Sequence, residues 1–158
     1  MNMTQTIIDE VNAIIAAMLR PTVRVTLDEG AYLPERAHDT DAGADIRTPR
    51  GFILPPFWHA TIRTGVHVEA PSHSATMIKS NSGLNVKHDI TSEGVIDEGF
   101  TGEVVVKLYN HGPRFHRFRR GDKITQLVIV PVLYPTYEQA DEIAGGERGD
   151  AGYGSTER

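Results

Sequence analysis

Asp97 stands in a glycine-punctuated turn, EGVIDEGFTGE, that leads into the apolar run EVVVKLY. A carboxylate held beside bound phosphates can orient a water molecule and accept its proton. An Asp next to glycine is also ordinary turn chemistry, so the residues alone leave both readings open. Phe100, in the same turn, either caps a core or offers a flat face to a sugar or base. In MIKSNSGLNVKHDI, Lys79, Ser80, Ser82, Gly83 and Lys87 gather around a strand end. Small hydroxyls beside a glycine let backbone approach a phosphate closely, although a turn with solvated lysines has the same composition. Gln126 in GDKITQLV is polar within an apolar run, and its amide needs a partner, structural or ligand. The last fourteen residues, GGERGDAGYGSTER, contain five glycines and almost nothing to bury. That is the composition of a flexible tail, yet Arg148, Tyr153, Ser155 and Thr156 are the parts of an arm that folds over an anion.

Several chemistries are excluded. Gly149 and Gly154 have the spacing of a Walker loop with Ser155-Thr156 after them, but the required Lys is missing. The seven His show no HExxH or other tight ligand spacing, and no GxSxG marks a serine hydrolase elbow. Zero cysteines remove disulfides, thiolate zinc sites and thiol nucleophiles. Sixteen Lys plus Arg against 21 Asp plus Glu give a net charge of −5. A nucleic-acid coat needs a broad positive face, and the one basic cluster, HGPRFHRFRR, reads as a solvated loop. No run of 18 apolar residues is present to span a bilayer, and Asp9 and Glu10 break the N-terminal apolar run. The expectation is a cytoplasmic protein with neither a nucleic-acid nor a membrane partner.

The elements that would position these groups are mostly strands. VRVTL, FILPPF, HATIRTGVHVEA, SATMIK, EVVVKLY and ITQLVIVPVLY are short, rich in β-branched or aromatic residues, and separated by turn clusters. The only convincing helix covers residues 4 to 19, where Ile7, Ile8, Val11, Ile14, Ile15, Met18 and Leu19 share one face and Pro21 follows. Such a stripe packs on the body or on another subunit. At 158 residues the chain makes one ordinary domain. Many short strands without helices between them predict an all-β sandwich, jelly roll or barrel.

The order of the segments carries more than each alone. AHDTDAGADI, SNSGLNVKH, GVIDEGFTGE, GDKITQLV and RGDAGYGST closely resemble, in that order, the five signature segments of the trimeric dUTPases, over about residues 22 to 156. The resemblance implies a jelly-roll-like barrel at residues 21–144, an added amphipathic helix at 1–20, and a C-terminal arm at 145–158. It implies a homotrimer with shared active sites that converts dUTP and water to dUMP and pyrophosphate, with Mg²⁺ held by the substrate phosphates. By the same resemblance Asp97 is the base that orients water. Phe100 stacks under deoxyribose, and Val95, Ile96 and Val105 line a main-chain uracil pocket. Asn81, Ser82, Gly83 and Gln126 surround the phosphates. Arg148, Tyr153, Gly154, Ser155 and Thr156 form the closing arm, and Asp45 lies near the metal's water shell. Four departures stand out: Asn81 replaces the family's Arg, Ala151 a Gly, and Phe100 the usual Tyr, and the linker from His88 to Gly94 is short for the family. Two rivals share the fold. A dCTP deaminase would need a Glu where Lys107 stands, and a non-catalytic nucleotide-binding or regulatory protein would not need Asp97.

Overall fold

The structure is a computed structural model that describes residues 3–143 and 145, without the side chains of residues 16–19. It opens with helix α1 (Met3–Leu19), close to the span that the apolar spacing predicts. The strands follow as β1 (Arg24–Leu27), β2 (Gly43–Arg47), β3 (Phe52–Leu54), β4 (His59–Glu69) and β5 (Ser74–Lys79). A short helix, α2 (Ser82–His88), then leads to β6 (Ile90–Ile96), β7 (Glu103–Asn110), β8 (His116–Phe118) and β9 (Lys123–Pro131). Seven strands pair in the order β1-β4-β7-β6-β5-β9-β2, and β3 pairs separately with β8. Every neighbour is antiparallel.

One strand changes partner partway along its length. β6 is bonded to β7 from Ile90 to Ser92, then to β5 from Glu93 to Ile96. A strand shared in this way turns the corner between two sheets and curls them into a jelly-roll-like barrel. The alternation that predicted β7 survives in three dimensions. Val104, Val106, Leu108 and Asn110 are buried, while Val105, Lys107 and Tyr109 face outward. The first three join Ile46, Leu54, Ile62, Val66, Ile78, Ile90, Phe118 and Ile124 in the core. Asn110 is the polar residue of that row and is satisfied by the turn it holds. Its amide donates to the Pro55 and Arg114 carbonyls at 2.9 and 2.8 Å and accepts from Gly112 N–H at 3.0 Å.

The sequence pattern misses or misplaces five elements, one of them β8, which lies in the basic cluster HGPRFHRFRR that reads as a solvated loop and yet pairs with β3 and buries Phe118 in the core. β2 lies within AHDTDAGADI, which is not among the predicted strands. α2 lies in what reads as a turn. Seven residues with no buried side chain are too short to show an apolar face, but Asn81 caps the start and Asp89, at φ 56°, ends it in the left-handed region. β6 occupies most of the segment that reads as a linker and turn. β9 stops at Pro131, short of the predicted ITQLVIVPVLY; Val132 N–H still reaches the His73 carbonyl at 3.0 Å, but His73, at φ 60°, is no longer extended.

Candidate active site

Two clusters of the predicted residues form at opposite ends of the β5–β6 pair. The first surrounds Asp45. On β2, Asp45 faces Gln126 of β9, and Gln126 faces Lys79 of β5, so the three occupy one row across the sheet. Asp45 is only 6% exposed. Its Oδ2 meets Lys123 Nζ at 2.6 Å, and its Oδ1 accepts longer bonds from Asn81 Nδ2 at 3.4 Å and Gln126 Nε2 at 3.5 Å. Gly43 makes room for this arrangement. A Cβ there would stand 2.6 Å from Gln126 Oε1 and 3.0 Å from its Cβ.

Asn81 has a second task. Its Oδ1 accepts from Gly83 and Leu84 N–H at 3.1 and 3.3 Å, so it caps α2 while its amide reaches Asp45. A residue replacing arginine here thus joins the helix start to the acidic residue on β2. Ser82 and Gly83 form the first turn of α2, Ser82 exposed and Gly83 half-buried. Ser80 does not join them, because its hydroxyl accepts from Ser92 N–H at 2.9 Å and donates to the Ser92 carbonyl at 3.1 Å. Lys79 is engaged by Glu93 at 2.6 Å. Lys123 was not among the residues singled out from sequence. Its signal was slight: a cation at the first position of a strand whose next two residues are buried.

The second cluster lies on the β6–β7 hairpin. Beyond Ser92 and Leu108 the two strands cease to pair, because β6 has moved to β5. Continuing their register places Val95 opposite Val105 across the opening, and both are exposed. Main-chain groups along these facing edges are thereby released from the ladder. The hairpin closes through Phe100 N–H donating to the Asp97 carbonyl at 3.2 Å, with Gly99 at φ 84°. That is a type II turn, whose third position needs a positive φ. The Asp97 side chain is exposed at its start. The Phe100 ring lies against Gly102, where a Cβ would stand 2.5 Å from Cζ, and the residue remains 47% exposed.

Neighbouring carboxylates hold this turn. Glu98 accepts from Tyr134 O–H and from His73 N–H, the latter at 2.8 Å. The Tyr134 bond first and the His73 bond second hold the Glu98 carboxyl below its usual range, and the same carboxylate raises the Tyr134 hydroxyl. At the far side of the turn Glu103, its side chain 9% exposed, binds Gly65 N–H at 2.9 Å and Arg63 Nε at 2.7 Å. Burial pushes the Glu103 carboxyl up, but those two partners outweigh it and leave the group below the usual range.

The two clusters are separated along β6. β6 is extended to Ile96, so the five steps from Ser92 to Asp97 advance about 16 Å. Ser92 is the residue bonded to Ser80, two positions before Ser82 in the chain. Arg148, Tyr153, Gly154, Ser155 and Thr156, predicted to form the arm, lie outside the described residues, as does Ala151. Among the described residues no group of three or more His, Asp or Glu side chains is placed to hold a metal, and no helix is long and apolar enough to cross a membrane.

An antiparallel sheet curled in this way, with polar clusters at its strand ends, defines the class as a jelly-roll-like β-barrel protein. The chain belongs to the dUTPase family, whose pattern matches residues 29–157. It is 40% identical over 133 residues to the deoxyuridine 5'-triphosphate nucleotidohydrolase of Clostridium acetobutylicum, covering 82% of this chain and 92% of that one. The enzyme of the same name from Thermobifida fusca is 40% identical over 142 residues, 85% of this chain and 79% of that protein. Among solved structures, a Staphylococcus bacteriophage 80alpha dUTPase with dUPNHPP superposes with a TM-score of 0.81 at 30% identity, over 88% of this chain and 100% of that one. A dUTPase from phage phi11 of S. aureus, described with a structural Mg(II) ion, matches with a TM-score of 0.72 at 30% identity, over 77% and 98%.

Proposed function

We propose that this chain hydrolyses dUTP to dUMP and pyrophosphate in sites shared among three copies, and that Asp97 is the base. The observation that carries the reading is the opening between β6 and β7, which ends in the Asp97–Phe100 turn. Uracil entering there meets the unpaired main-chain edges at Val95, Ile96 and Val105, and a close fit between them would exclude a methyl group at C5. Phe100 lies under deoxyribose with its ring fixed on Gly102. A ribose 2′-hydroxyl would press on that ring. Asp97 then orients a water toward the α-phosphorus and takes its proton as the new P–O bond forms. The bond from the α-phosphorus to the bridging oxygen breaks, and pyrophosphate carries away the electron pair. Lys107, exposed on β7 with Nζ 5.3 Å from the Tyr109 ring centroid, offers no carboxylate for deamination.

The phosphates lie at the other cluster: Ser82 and Gly83 at the start of α2, with the amides of Asn81 and Gln126 beside them. A water held by Asp97 and an α-phosphate held by Ser82 must lie within a few ångströms of each other. About 16 Å of extended strand between Ser92 and Asp97 supports drawing the two groups in one site from different chains. This favours the homotrimer. The arm of a further copy, with Arg148, Tyr153, Gly154, Ser155 and Thr156, would close the site and exclude water. Residues 1–20, 21–144 and 145–158 thus divide as helix, barrel and arm.

The donor set fits Mg²⁺ held chiefly by substrate. Asp45 Oδ1 carries only the two long amide bonds and keeps capacity for a metal-bound water, while Oδ2 is taken by Lys123. Mg²⁺ binds in this manner, through phosphates, water and one or two carboxylates, and supplies charge neutralisation to the triphosphate. A cytoplasmic location accompanies this reading, and neither nucleic acid nor membrane is needed as a partner. The test is incubation with dUTP and Mg²⁺, then with dCTP, dTTP and UTP. Equal amounts of dUMP and pyrophosphate from dUTP, with the others spared, are expected. Intact dUTP after incubation with folded protein would overturn the reading.

A further inference from the structure

Helix α1 precedes the residues that match the family, so nothing in the dUTPase pattern accounts for it. The apolar side chains described on it are not used inside the chain. Ile7, Val11 and Ile14 are 54, 47 and 59% exposed, and Ile8 and Ile15 are 46 and 47% exposed. The opposite face is polar, with Gln5 Nε2 bonded to Asp9 Oδ1 at 3.0 Å and Glu10 and Asn12 alongside. A helix of 17 residues is marginal in water by itself, so this stripe needs an occupant.

The spacing identifies it. Ile7, Val11 and Ile14 recur at intervals of four and three, which are positions d, a and d of a heptad, with Ile8 and Ile15 at the adjoining e positions. A seam of this period fits another helix of the same period better than a flat sheet surface. β-branched residues at both a and d, rather than leucine at d, favour three or four strands over two. The polar face carries acids and no Lys or Arg before Arg20, which disfavours an anionic membrane surface. No complementary basic e position marks a different helix as partner, so the seam matches its own copies.

We propose that α1 assembles with α1 of two further copies into a parallel three-helix bundle on the symmetry axis of the trimer. The proposal rests on the three-chain reading given above. Cyclic symmetry gives every helix the same distance from the axis and the same direction. Only residues 20–23 separate α1 from β1, so the end of each helix stays within about 18 Å of its own barrel. Tethering at three equivalent points raises the local concentration of helices that would be too short to associate when free.

The absence of cysteine makes the test clean. Full-length Ile14→Cys, at a seam position, and Asn12→Cys, on the outer face, are treated with a short bis-maleimide, and Val11→Cys gives a second seam position. The mass of the unmodified protein is measured by light scattering. At least tenfold more linked dimer is expected at 14 and 11 than at 12, with no more than two of every three chains joined. Outer faces of a bundle stand more than a helix diameter apart, so position 12 stays unlinked. A protein of trimer mass with equal linking at all three positions would overturn the bundle and leave the three-chain site intact. A monomer mass would remove the three-chain reading itself.

Discussion

Gly102 is the residue through which the proposed sugar platform can be tested without touching the platform. A Cβ at this position would stand 2.5 Å from Phe100 Cζ and 3.0 Å from Cε2, so the ring must shift by about 1 Å to regain ordinary contact. Phe100 is 47% exposed, which leaves about 90 Å² of a side chain that buries about 200 Å² for a ligand to cover. At about 25 cal/mol per Å², covering it contributes at most about 2.3 kcal/mol. Phe100→Ala should therefore lower kcat/KM for dUTP by up to about 50-fold. Displacing the ring and losing about half of that contact predicts a roughly sevenfold loss for Gly102→Ala. Discrimination against UTP should weaken in both variants, because the ring is what a 2′-hydroxyl would press on. Steady-state pyrophosphate release from the four members of the cycle supplies the assay. In the Phe100→Ala background, Gly102→Ala should cost less than twofold, since there is no ring left to displace. An equal cost in both backgrounds would show that Gly102 acts through its backbone, and the argument from the ring would fail.

Asp97→Asn should abolish turnover while leaving dUTP binding by calorimetry within a few-fold of the parent; undiminished activity would remove Asp97 from the role of base. Lys123→Met leaves the buried Asp45 carboxylate without its ion-pair partner. Allowing for the lysine's partial exposure, it should cost about 1–3 kcal/mol, or roughly 3–9 °C in Tm, with most of the loss restored by Asp45→Asn in the same chain. An unchanged Tm would show that the pair contributes nothing to the fold. Burial first, and the neighbouring His88 second, lower the His116 pKa from its ordinary value. Between that lowered value and about 6.5 the unfolded chain binds more protons than the folded one, so stability falls as pH drops through this window. His116→Phe should flatten that part of a Tm-against-pH curve, and an unaltered slope would assign the loss to other groups.

Sequence alone was a good guide wherever one periodicity ran unbroken. β7 alternates cleanly and Ile7 to Ile15 keep helical spacing, so both elements were legible. α2 was not, because a seven-residue helix held by its caps buries nothing and leaves no apolar rhythm. The partner change in β6 was hidden for a different reason: Ile90, Ser92 and Ile96 can be buried whichever neighbour the strand is bonded to. Asp45 and Gln126 could be singled out by type, but their meeting depends on the β2–β9 register across 81 residues of chain. Lys123 escaped notice because its importance comes from that meeting and not from its own surroundings.

The change of partner in β6 also bears on how base choice can evolve. If uracil is read by strand edges left unpaired beyond Ser92, the reading groups are common to every residue type except proline, which lacks the N–H. Point substitutions along Val95, Ile96 and Val105 would then drift while the base preference persists. Altering that preference would take an inserted or deleted residue, or a proline, that moves where β6 leaves β7. Relatives only 40% identical could therefore keep the same base preference while their side chains diverge, and a library of single substitutions would be a poor route to a new one.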